Sequence, residues 1–163
     1  MIDINESIEN ILETVKACLE KEKCENGLLE NVKEIISLYN NEYGVEAPGI
    51  WIVQHPITSN GDENLSQELE LKSTIEFVCI EYDPDPYTAE RLARQLAVNV
   101  ALAIKKNYRT VQFEKFGNRI IHNVKFHSLI PVGEMKVEKK REKVPVTGLI
   151  LEFLFDVDWE NYC

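Results

Sequence analysis

Ile4, Ile8, Ile11, Leu12, Val15 and Leu19 recur at helical steps, which gathers them on one face of a helix over residues 4 to about 21. Glu25, Asn26 and Gly27 interrupt that stripe. A second one follows in Leu28, Leu29, Val32, Ile35, Ile36 and Tyr39, closing near Gly44. Residues 1–44 are therefore predicted to be a helical region, as two helices or one kinked helix.

Beyond Pro48 and Gly49 the period changes. Ile50 to Val53 is a short apolar run of strand type, closed by Pro56, and residues 59–64 form a polar loop. From Gln67 to Tyr82 the chain alternates: Leu69, Leu71, Ile75, Phe77 and Cys79 share one parity, and Glu68, Glu70, Lys72, Thr74 and Glu76 the other. Val78, Ile80 and Tyr82 add apolar positions to the second face, so that end of the strand is expected to be covered on both sides. Asp83, Pro84, Asp85 and Pro86 then stop the strand and start a helix, with Asp85 as cap and Pro86 in the first turn. Ala89, Leu92, Ala93, Leu96, Ala97, Val100, Ala101 and Ile104 give this helix a wide apolar face up to about residue 106. Its alanines suit close approach to a sheet.

The remainder reads as strands, over Val111–Phe116, Ile120–Ile130 and Gly148–Trp159. In the last, Leu149, Leu151, Phe153, Phe155, Val157 and Trp159 alternate with a more polar set. Between the last two strands, residues 136–143 are too charged to be buried and long enough to project as an arm. The pattern predicts one α+β domain over residues 1–163, with the sheet and long helix in 50–159.

Composition narrows the role. Of 163 residues, 44% are apolar and 28% charged, within the globular range. The net charge of −10 opposes general affinity for nucleic acid, which depends on cations meeting phosphates. The charge is also polarised: residues 1–90 hold 20 acids and 5 bases, residues 91–163 hold 8 acids and 13 bases. Such polarity can serve head-to-tail assembly, or can simply reflect solvated acidic helices. Cys18, Cys24, Cys79 and Cys163 form no CxxC pair, and the first residues show an acidic helix pattern rather than a signal peptide. Reduced thiols and a cytosolic setting are expected. The longest apolar stretch, Ala97 to Ile104, is far shorter than the roughly 20 residues that span a bilayer, so no membrane role is expected.

Candidate chemistry is sparse. His55, His122 and His127 are the obvious acid–base or metal candidates. His122 and His127 lie five apart in a strand, which places them on opposite faces and keeps them from sharing a metal unless a bulge intervenes. Structural roles are expected for all three. The cysteines read as inert packing, without a neighbouring base or cation to make a thiolate. Asp83 with Asp85, and Asp156 with Asp158, could be carboxylate pairs for a metal or for hydrolysis. Helix capping explains the first pair and the solvent face of a strand the second. No nucleotide-binding, nucleophile-elbow or zinc-protease motif occurs. Neither a catalytic residue, a cofactor site nor a metal site is nominated, and the chain is expected not to be an enzyme. The residues singled out for protein contact are Lys136, Lys139, Lys140, Arg141 and Lys143, in a run that lacks the aromatic interleaving of a nucleic-acid site.

The order of elements resembles the tail terminator (tail completion) family of long-tailed bacteriophages. The resemblance is carried by IEFVCIEYDPDPYTAERLARQLAVNVALAIKKN at 75–107 and KFHSLIPVGEMKVEKKREKVPVTGLILEFLFDV at 125–157. It implies helices packed on one side of a bent, mostly antiparallel or mixed sheet. It further implies a structural virion protein at the head-proximal end of the tail, assembled in the host cytoplasm. Such a protein forms a ring, typically a hexamer, that caps the tail tube, ends its polymerisation and offers a surface to the head–tail connector. The implied partners are copies of itself, the tail tube protein and the connector, with DNA passing through the channel without specific binding. An acidic wall suits that passage because it repels phosphates. A ring needs two different complementary surfaces per subunit, and the acidic first 90 residues with the basic arm supply one such pairing. A head–tail neck or head-completion protein and a small non-enzymatic oligomerising module are the alternative readings.

Overall fold

The computed structural model describes residues 4–37, 46–59, 68–136 and 143–158. They form α1 (Ile4–Lys21), β1 (Glu34–Ser37), β2 (Gly49–Gln54), β3 (Thr58–Ser59), β4 (Glu68–Ile80), α2 (Pro86–Phe116), β5 (Ile121–Lys136) and β6 (Lys143–Asp158). The strands build a mixed sheet in the order β1-β2-β4-β6-β5, with the short β3 beside β4. Only β1 with β2 is parallel among the described pairings.

One face of this sheet carries the core. Ile50 and Ile52 of β2, Ile75, Phe77 and Cys79 of β4, and Leu149, Leu151, Phe153 and Phe155 of β6 are all buried together. Ile11, Val15 and Leu19 of α1 and Leu96, Ala97, Val100, Ala103 and Ile104 of α2 join the same cluster, so both helices cover that face. Each fully buried Phe or Ile there contributes on the order of 1.5–3 kcal/mol. The α+β architecture is as the pattern predicts, and both helices lie on one side of the mixed sheet. At one end the second face is apolar too: Val78, Ile80 and Val146 are buried, with Ile36, Trp51, Val53 and Tyr82 against them.

Several elements differ from the sequence reading. The second helical stripe is a series of turns from Glu22 to Asn31, followed by β1. Leu29 and Val32 are buried in the core, but Ile35 and Ile36 divide between the two faces of the sheet. Parallel pairing with β2 at Ile35↔Ile50 and Ile36↔Trp51 overrides the local helical spacing. Residues 38–45 lie outside the described residues. The stretch Val111–Phe116, read as a strand, is the last part of α2, which runs 31 residues, about 46 Å, instead of stopping near residue 106. Tyr108, Val111 and Gln112 continue the buried stripe past Ile104, and Gly117 closes the helix at φ 60, its N–H donating to the Phe113 carbonyl at 2.9 Å. The final two strands are also longer than expected, although Trp159 lies outside the described residues. At the start of α2, Asp85 behaves as predicted: its carboxylate accepts from the Thr88 N–H at 3.3 Å and hydroxyl at 2.7 Å.

Candidate functional site

The second face of the sheet, away from the helices, gathers the chain's three histidines against acids of β4 and β6. His55 continues β2 past its last paired residue, with its N–H donating to the Thr74 carbonyl at 2.9 Å. That register turns its ring to the same side as Glu76, and Nε2 lies 3.0 Å from Oε2 of Glu76. His122 Nε2 lies 3.0 Å from Glu70 Oε2 and 3.4 Å from Asp156 Oδ1. His127 Nε2 stands 4.0 Å from Glu152 Oε1, which also meets Lys72 Nζ at 3.4 Å.

The expectation that His122 and His127 face opposite ways is corrected by two bulges. The β5–β6 register steps from Ile121↔Phe155 to Asn123↔Leu154, and from Phe126↔Leu151 to Ser128↔Ile150. In both steps the extra residue is the histidine, which resets strand parity and turns both rings toward the acidic face. They serve different acids and share none. Doubled polar residues at His122-Asn123 and His127-Ser128, inside an otherwise alternating run, were the readable sign of an extra residue.

Asp156 therefore does more than fill a solvent face, because it stands beside His122. Glu70 is its direct cross-strand partner.

Cys18 and Cys79 are buried. Burial pushes the Cys18 thiol up to about 12 and the Cys79 thiol upward likewise, so both stay protonated at neutral pH. Cys24 is exposed, and Cys163 lies outside the described residues. Of the basic run, Lys139, Lys140 and Arg141 lie outside the described residues. Lys136 and Lys143 are opposite one another in the β5–β6 register, at the two ends of that connection.

A second surface, missed by sequence reasoning, lies on the helix side at the sheet edge. A groove of about 550 Å³ runs between α2 and β5, lined by Ala101, Lys105, Tyr108, Arg109, Val124 and Phe126 among others. Phe126 is 64% exposed although it shares the core-facing register position with Leu151. On α2, Val98, Leu102 and Phe113 are exposed as well. No helix among the described residues is long and apolar enough to cross a membrane. Comparison of the sequence with models of known protein families and with curated proteins finds no match.

Proposed function

We propose that this chain is a structural assembly subunit of a long-tailed phage or prophage, closing into a ring that caps the tail tube and meets the head connector. The observation that carries the reading is the groove between α2 and β5, part apolar and part basic, with exposed Phe126, beside the outer edge of the sheet. Exposed aromatic and aliphatic residues grouped beside a cleft mark a contact surface more often than a solvated one. The occupant is a second copy. Lys105 and Arg109 make the groove's rim basic, whereas α1 exposes Glu6, Glu9, Glu13 and Glu20. Unlike faces joined head to tail close into rings when the rotation allows. The order of helices and strands, the long α2 and the long β5–β6 pair also fit the terminator resemblance.

Light scattering with negative-stain imaging, alone and with purified tail tubes, tests the reading. The expected result is a ring with a channel wide enough for duplex DNA, or a subunit that oligomerises on tube ends. A chain that stays monomeric and leaves tube ends bare at micromolar concentration would sink it.

A further inference from the structure

We propose that Glu70, His122 and Asp156 form a binding site for a divalent transition-metal ion, with zinc the best chemical match. The three side chains come from β4, β5 and β6, and one potential ligand atom of each lies within 4.8 Å of the others. From Nε2 of His122, the carboxylate oxygens of Glu70 and Asp156 are at 3.0 and 3.4 Å. Two ligands bound at about 2.0–2.2 Å to a tetrahedral or octahedral ion stand roughly 3.0–3.4 Å apart, so small shifts would place an ion among these atoms. One imidazole and two carboxylates suit zinc, with manganese or ferrous iron as weaker matches, and leave positions open for water.

Two further observations point to a cation. Nε2 of His122 is shielded from solvent, yet no hydrogen bond satisfies it among the described residues. An imidazole nitrogen that is buried, close to two carboxylates and not hydrogen-bonded to either is arranged as a ligand more than as a donor. The second is the pairing itself: Glu70 and Asp156 are direct cross-strand partners, and two carboxylates so placed beside an imidazole form a donor set suited to a divalent cation. The β5 bulge supplies the missing ligand by turning His122 over the β4–β6 pair. A bound ion would then tie three neighbouring strands together and anchor the outer strand β5.

The site stands apart from the groove between α2 and β5, so its test does not depend on the assembly reading. The probe is zinc chloride, added to metal-free protein and followed by calorimetry and by thermal unfolding. One ion per chain and a chelator-reversible rise in Tm are expected, since a ligand that binds only the folded state stabilises it. His122→Ala and Asp156→Asn should each weaken binding at least about tenfold, while His55→Ala and His127→Ala leave it unchanged. Circular dichroism guards against simple misfolding: metal-free Asp156→Asn should keep the parent's spectrum and lose only the zinc-dependent rise. Absence of saturable binding overturns the proposal, as does binding that survives both ligand substitutions.

Discussion

Glu22 sits just past the end of α1, and its buried carboxylate joins three parts of the fold. It accepts from Lys106 at 2.8 Å and Asn107 at 3.2 Å on α2, and from the Leu28 N–H at 3.5 Å in the turn that follows. The hydrogen bonds from Lys106, and next from Asn107, hold this carboxyl below its ordinary range. A lowered folded-state value contributes stability above the unfolded value of about 4.3, and that contribution is lost as pH falls through the folded value. Glu22→Gln should therefore cost about 1 kcal/mol at pH 7, modest because Lys106 is largely exposed to solvent screening. The deficit should shrink below about pH 4, as the parent's carboxyl protonates. Urea unfolding of both proteins at pH 7 and pH 3 checks this, and a deficit that does not change with pH would refute the charge as its cause. Five residues on, Gly27 comes against the same turn: a Cβ there would stand 2.2 Å from the Glu22 carbonyl oxygen. Because the obstacle is backbone, Gly27→Ala should destabilise by about 1–3 kcal/mol, measurable as a lower Tm with an unchanged fold by circular dichroism.

At the scale of elements, Gln112 shows why α2 continues where the sequence suggested a strand. Its buried side chain accepts from the N–H groups of Ile120 and Ile121 at 3.0 and 2.9 Å and donates to the Ile121 carbonyl at 3.0 Å. The side-chain amide acts as a strand partner at the start of β5, locking the end of the helix to the sheet. Gln112→Ala would strand two backbone donors and should cost about 2–4 kcal/mol. Gln112→Glu keeps the one acceptor that serves both N–H groups but sets a buried carboxylate oxygen against the Ile121 carbonyl. It should therefore also destabilise at pH 7 and less so at pH 4, which chemical denaturation at the two pH values checks. The continuation of α2 was partly legible, because Ile104, Tyr108 and Val111 keep helical steps and Gly117 is a natural stop. The β-branched Thr110 and Val111 and the aromatic Phe113 favoured a strand locally, and tertiary contact decided the matter. The β4 and β6 strands and the α2 cap were legible from strict alternation and Asp-Pro chemistry. The acidic site was not, since Glu70 and Asp156 are brought opposite one another by a pairing between distant segments. Their register cannot be read from either strand alone.

At the scale of the whole molecule, the issue is how β5 can be an outer strand without inviting indiscriminate pairing. It has no neighbour beyond β6 among the described strands. Its register against β6 shifts at three places, around His122, His127 and Val132. Bulges of this kind break the regular row of backbone donors and acceptors that strand addition requires. A neighbouring copy would therefore be recognised through side chains in the α2–β5 groove. Phe126 in the groove and the exposed Leu102 on α2 supply the apolar contact, and Lys105 and Arg109 the charge for the α1 acids of the neighbouring copy. Replacing Leu102 and Phe126 together by Asp should abolish ring formation while shifting Tm little, because both are exposed in the isolated subunit. Reversing Lys105 and Arg109 to Glu should weaken assembly in low salt and have less effect at 1 M, where charges are screened within about 3 Å. Sedimentation velocity across that salt series separates the contributions. If assembly survives the double Asp substitution, contact between subunits runs through another surface; if it fails equally at all salt concentrations after charge reversal, steric damage and not lost attraction is responsible.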